Sequence, residues 1–103
     1  MIIREWRGMA ARSNADAYPK HFRDHVVLEL HLVAGFAGAQ LSRRELDDKV
    51  EFLVLTRWQS SMRSEGFPAP IWRRQLWRLN AAAALVEFDT TVRHYQVLEE
   101  ISA

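Results

Sequence analysis

Large apolar side chains occupy both odd and even positions of the segment 50–58, which is typical of a strand covered on both faces. Successive strand residues point to opposite sides of a sheet. One side therefore carries Phe52, Val54 and Trp58, and the other carries Leu53 and Leu55. A helix of the same chain can cover one side, but a chain of 103 residues has little left to cover the other. We therefore predict a homodimer that packs through this second side.

An apolar stripe with spacings of three and four predicts a helix before this strand. Its members are Tyr18, Phe22, Val26, Leu30 and Val33. The segment 13–16 resembles a capping box, in which the hydroxyl of Ser13 would accept an amide of the first turn. Gly35 predicts the end of the helix, and Pro19 should kink its first turns or restart it.

The remaining pattern predicts further strands and a second helix. Strands are predicted at 2–10, 35–41, 50–58 and 90–98, and helices at 60–66 and 71–85, with a polar hairpin turn at 43–48. The order is βαββαβ, which is typical of an α+β, ferredoxin-like fold with an antiparallel sheet and its helices on one side. At this length we expect a single domain over residues 1–103.

Composition narrows the class of protein. Hydrophobic residues make up 49% of the chain and charged residues 26%, which excludes wholesale disorder. The formal net charge of +1 offers no field to attract nucleic acid. The absence of Cys excludes disulfides, thiolate nucleophiles and iron–sulfur clusters. No apolar run approaches membrane-spanning length. We therefore expect a cytoplasmic protein that binds neither nucleic acid nor membranes.

Five segments carry a resemblance to a known family: 1–4, 14–18, 35–39, 50–60 and 88–97. Together they resemble the antibiotic biosynthesis monooxygenase family. It implies a dimeric α/β barrel in which two ferredoxin-like sheets pack face to face, and each subunit keeps a pocket between its own sheet and helices. Members of the family include oxygenases that act on polycyclic phenols without metal or flavin, and a branch that binds and degrades haem.

The haem-degrading branch differs from this chain at two positions. It uses an Asn on its first strand, where this chain has Trp6, and a haem-ligating His in its second helical region. No His occurs here between His31 and His94. The resemblance therefore implies no axial haem ligand, and we expect no cofactor.

His94 is the candidate catalytic residue. His94 and Tyr95 point to opposite faces of the predicted final strand, so only one of them can face the pocket. A pocket-facing His could take a phenolic proton near neutral pH. The alternative is a His that is hydrogen-bonded at the dimer interface.

Arg4 could hold a phenolate if it shares a face with Trp6, and exposure at the sheet edge is the alternative for Arg4.

Aromatic residues could line a site for a flat ligand. The predicted substrate-binding residues are Arg4, Trp6, Tyr18, Phe22, Trp58 and Trp72. Core packing is the alternative for each aromatic ring, and we expect Trp58 to be mainly structural.

His21 and His25 stand one helical turn apart, a spacing that can bind a metal, but nothing supplies the rest of such a site. We predict no metal.

Two functional hypotheses follow. The first is a cofactor-free, monooxygenase-like homodimer that oxidises or binds a small phenolic or quinol compound. The alternative is a non-catalytic, ligand-binding or stress-associated dimeric barrel, and haem binding or degradation is a third possibility. The sequence leaves open whether the protein is an enzyme.

Overall fold

One antiparallel sheet organises the computed structural model, which describes residues 1–59, 85–89 and 91–103. Its strands are β1 (Ile2–Ala11), β2 (Phe36–Glu45), β3 (Lys49–Trp58), β4 (Leu85–Phe88) and β5 (Arg93–Gln96). β3 lies between β2 and β1, and both β4 and β5 pair with the free side of β1. β4 pairs with residues 8–10 and β5 with residues 2–5. The two short strands thus share the place of the fourth strand in a ferredoxin-like sheet, and the predicted α+β fold is confirmed.

A helix over residues 17–31 packs on this sheet. It consists of α-helical Ala17–His21, π-helical Phe22–Val26 and α-helical Val27–His31. Its buried side chains recur every four residues: Tyr18, Phe22, Val26 and Leu30. In a regular α-helix each such step would rotate about 40° beyond a full turn. The wider π-helical turn takes up part of that rotation, so the stripe stays against the sheet.

The helix starts differently from the prediction. Ser13 lies in a single 3₁₀ turn (Arg12–Asn14), and no side chain caps that turn or the following helix, whose N-cap is Asp16. The predicted capping box is therefore wrong. Pro19 falls in the first helical turn, where the missing amide is tolerated, so the predicted restart does not occur. The helix ends at His31, earlier than predicted, so Val33 lies beyond it, and Gly35 adopts φ 88° in the turn that leads into β2.

The strand boundaries also differ from the prediction. β2 extends to Glu45 instead of ending at position 41, so the hairpin turn is shorter than predicted and is closed by the Leu46 amide, which donates to the carbonyl of Lys49 at 2.9 Å. Leu85, predicted to end a helix, begins β4. The predicted final strand over 90–98 is reduced to Arg93–Gln96. The helices predicted over 60–66 and 71–84 lie outside the described residues.

The two faces of the sheet differ in burial. We call the face under the helix the inner face; its buried residues in β1 and β3 are Ile2, Arg4, Trp6, Gly8, Ala10, Val50, Phe52, Val54, Thr56 and Trp58. The opposite, outer face carries Ile3, Glu5, Arg7, Met9, Glu51, Leu53, Leu55 and Arg57, most of them half-buried. Leu53 and Leu55 thus lie among charged side chains, so the outer face is mixed and not the apolar surface that the sequence predicted.

No helix of the described residues is long and apolar enough to span a membrane.

Candidate functional site

Trp6 lies in the middle of the inner face, and three contacts fix its ring. A Cβ at Gly8 would stand 2.8 Å from Cη2 of Trp6, so the absence of a side chain there lets the indole lie against β1. The indole N–H donates a hydrogen bond to the main-chain carbonyl of Asp89 at 2.9 Å. The ring stacks on Tyr18 with centroids 6.0 Å apart, and only 1% of Trp6 is exposed. Trp6 is therefore buried in one defined orientation.

Arg4 is a buried cation on the same face. Only 3% of it is exposed, so its predicted alternative, exposure at the sheet edge, is wrong. Its Cζ lies 4.1 Å from the ring centroid of Trp58, whose Nε1–H donates to the hydroxyl of Thr56 at 2.9 Å. Burial lowers the pKa of the Arg4 guanidinium to about 9, which still leaves it charged near neutral pH. The guanidinium stacked on Trp58 makes a cation–π contact at a desolvated position.

The register of β5 decides which side of the sheet His94 occupies. His94 pairs with Arg4, and Tyr95 pairs with Ile3. His94 therefore lies on the inner face and Tyr95 on the outer face, which answers the question that the sequence left open. Directly paired residues have Cβ atoms about 5 Å apart. An exposed imidazole thus stands beside a buried guanidinium.

Tyr18 brings a buried hydroxyl from the helix to the same cluster. It is fully buried, and its ring centroid lies 5.2 Å from that of Phe52. Among the described residues, no partner hydrogen-bonds its hydroxyl. Burial raises the pKa of Tyr18, so the phenol keeps its proton. A buried hydroxyl without a partner carries a desolvation cost that a ligand oxygen could offset. Phe22 is buried in the same core cluster.

The structure brings together most of the predicted substrate-binding residues. Arg4, Trp6, Tyr18, Phe22 and Trp58 share the buried core between helix and sheet, and their functional roles stay predictions. Trp72 lies outside the described residues. His21 and His25 have ring centroids 5.3 Å apart, and within residues 1–59, 85–89 and 91–103 no three side chains of the metal-ligating types come together.

Three residues of the cluster were missed by sequence reasoning. Gly8 and Thr56 had a local signal, since each stands two residues from a Trp whose ring it contacts. Asp89 had none, because it lies 83 positions from Trp6 along the chain. Its contact depends on the pairing of distant strands, which a single sequence does not show.

Comparisons with known proteins bear on the fold. No protein-family model and no curated protein matches this chain. Among solved structures, a Bacillus cereus protein named as an antibiotic biosynthesis monooxygenase superposes with a TM-score of 0.69 at 14% identity, covering 99% of this chain and 97% of its own.

Two proteins of Streptomyces have folds similar to this chain over nearly its whole length. A monooxygenase from ActVA-Orf6 of Streptomyces coelicolor, in complex with nanaomycin D, has a TM-score of 0.67 at 12% identity, covering 99% of this chain and 91% of its own. SnoaB, a cofactor-independent oxygenase of Streptomyces nogalater, has a TM-score of 0.61 at 13% identity, covering 99% and 98%. The chain therefore has the fold of the antibiotic biosynthesis monooxygenases, as the resemblance in sequence implied.

Proposed function

We propose that this chain is a monooxygenase-like protein that binds and oxidises a small phenolic or quinol compound at the inner face of its sheet. The observation that carries the proposal is the buried guanidinium of Arg4 on the Trp58 ring, with His94 opposite it in register. An acidic aromatic compound is complementary to both parts of this arrangement, because its charge is attracted to the guanidinium and its ring can pack on the indoles. The fold shared with named monooxygenases supports the same class of reaction.

In the proposed reaction His94 accepts the proton of the phenolic hydroxyl. The phenolate transfers one electron to dioxygen, which leaves a phenoxyl radical and superoxide. These combine through a new C–O bond at a ring carbon that bears hydrogen, and the resulting peroxide anion takes the proton back from His94 to give a hydroperoxide. Cleavage of its O–O bond with loss of water leaves a quinone, so one oxygen atom enters the product and the other enters water. Arg4 stabilises the negative charge of the phenolate and of the superoxide.

Oxygen uptake in the presence of a panel of phenols and naphthols tests this proposal. We expect one dioxygen consumed per quinone formed, and a strong loss of rate in His94→Ala. Tyr95→Phe is the matched control, because Tyr95 is the next residue of β5 and lies on the outer face. Full turnover in His94→Ala would remove His94 from the mechanism.

A second candidate is a ligand-binding protein without catalysis. The tight burial of Trp6, Tyr18 and Phe52 favours it, because these rings pack as core and leave His94 exposed beside them. A panel compound that raises the melting temperature without oxygen uptake would identify this function. Haem as the ligand would show as a Soret shift on titration, and an unshifted Soret band excludes it.

We further propose that the outer face binds a second copy of the chain. Ile3, Leu53 and Leu55 are half-buried on this face, and Tyr95 is 49% exposed on it. Shallow grooves of about 230 and 260 Å³ run along the face beside Arg7. Charges of both signs among apolar residues are compatible with a self-complementary, two-fold interface, because each sign can meet its opposite on the other copy. Sedimentation that shows a stable, folded monomer at low micromolar concentration would contradict it.

A further inference from the structure

Asp89 stands where the pairing partner of β1 changes from β4 to β5. Its amide donates to the carbonyl of Arg7 at 2.9 Å, and the amide of Arg7 donates to the Asp89 carboxylate at 3.0 Å. A side-chain oxygen thus takes the place of a main-chain acceptor in the sheet ladder. The adjacent pairing with β4 is irregular as well, with a register shift between Met9 and Ala10.

The side chain and the carbonyl of Asp89 serve opposite faces of the sheet. On the outer face, Oδ2 accepts a hydrogen bond from Nη1 of Arg93 at 3.0 Å, and Arg93 also lies 3.4 Å from Glu5. On the inner face, the main-chain carbonyl accepts the indole N–H of Trp6 at 2.9 Å. One residue therefore connects an ion-pair network on the outer face to the ring in the candidate ligand site.

We propose that Asp89 and Arg93 are positioning residues that set the orientation of Trp6 from the opposite face of the sheet. The carboxylate is held by the Arg7 amide and by Arg93, and this restricts rotation of the Asp89 backbone. The carbonyl then stays directed at the indole. The effect on ligand affinity rests on the proposed function, whereas the effect on Trp6 does not.

The indole N–H of Trp6 provides the readout. Its resonance in an ¹⁵N-labelled sample is assigned with Trp6→Phe, and its hydrogen exchange is followed in each variant. Asp89→Ala keeps the main-chain carbonyl but removes the side-chain contacts that hold it in place. We expect the indole hydrogen bond to be lost and its exchange to be faster by about tenfold, which corresponds to one net hydrogen bond. Arg93→Gln should change it in the same direction by less. The Trp58 indole, held by Thr56, should not change in either variant.

The matched control is Arg44→Gln. Arg44 forms an ion pair of 3.0 Å with Glu51 on the same outer face and has no contact with Asp89. Unchanged exchange of Trp6 in both Asp89→Ala and Arg93→Gln, or an equal change in Arg44→Gln, would overturn the proposal. If Asp89→Ala does not fold, Asp89→Asn replaces it. The amide oxygen of Asn still accepts from Arg7 but forms no ion pair with Arg93, so we expect the smaller effect of Arg93→Gln, and no effect would count against the proposal.

Binding of α-naphthol separates this proposal from the proposed function. We expect weaker binding in Asp89→Ala and Arg93→Gln than in the unmodified protein and in Arg44→Gln. Faster Trp6 exchange together with no α-naphthol binding by any form would sustain the positioning role and contradict the ligand site.

Discussion

The inner and outer faces are built from alternate residues of the same strands, yet their charged side chains have different surroundings. On the outer face, Glu5 and Glu51 are half-buried and each pairs with Arg side chains. On the inner face, Arg4 is the one buried residue with a charged side chain in the described part of the chain, and the indole ring of Trp58 lies against it. Burial of a cation costs free energy that an apolar side chain of similar size would avoid. The contrast fits the binding role proposed for Arg4.

The largest contrast between the faces should appear in the stability of neighbouring residues of β3. Phe52→Ala removes a fully buried ring and should lower the free energy of unfolding by about 3–5 kcal/mol. Leu53→Ala, one residue along on the half-buried outer face, should cost about 1 kcal/mol. Urea denaturation at one fixed protein concentration measures both. Equal losses would mean that the outer face is as well packed as the core.

Self-association should respond to the outer face alone. In Leu55→Asp an unpaired carboxylate enters the proposed interface, and we expect the dimer dissociation constant to rise about a hundredfold, or roughly 3 kcal/mol. The control is Leu28→Asp, which places the same charge on the helix at a position that is 62% exposed. Analytical ultracentrifugation compares the two. Dimers that persist in Leu55→Asp would argue against the outer face.

Substitution of Arg4 should separate binding from stability. Arg4→Met keeps an unbranched side chain and removes the charge, so affinity for an acidic aromatic compound should fall by about 2 kcal/mol. The free energy of unfolding should change by less than the binding free energy, because loss of the contact with Trp58 is offset by removal of a cation whose burial is costly. Isothermal titration and urea denaturation provide the two values. A large loss of stability with unchanged affinity would make Arg4 a structural residue.

The smallest expected effect concerns the packing of Trp6. Gly8→Ala brings a methyl group within 2.8 Å of the indole and 3.0 Å of Leu85, and should cost about 1 kcal/mol of stability. In a Trp6→Leu background most of this cost should disappear, because the contact with the ring is absent. A cost that persists there would have to come from Leu85 or from the backbone.

The sequence predicted those features that depend on local pattern. The run of large apolar side chains over 50–58 predicted β3, and the stripe that starts at Tyr18 predicted the helix and its buried face. Arg4 and Trp6 share the inner face, which was the condition stated for the predicted binding role of Arg4. These predictions succeeded because strand and helix periodicity act over a few neighbouring residues.

The features that sequence reasoning missed depend on distant pairing. The placement of His94 opposite Arg4 follows from the register between β1 and β5, which lie far apart in the chain. The interruption of the ladder at Asp89 and its contact with Trp6 likewise join residues more than eighty positions apart. The failed capping box has a different cause. Ser13 had the right residue type, but the chain uses that position in a 3₁₀ turn before the helix.

A titration of the ¹⁵N-labelled protein with α-naphthol, followed through the indole N–H groups of Trp6 and Trp58, tests the central claim most directly. If the inner face around Arg4 is the ligand site, both resonances should shift saturably, while the amides of Leu53 and Leu55 on the outer face stay in place. Shifts confined to the outer face, or none at ligand concentrations that saturate any measured binding, would contradict it.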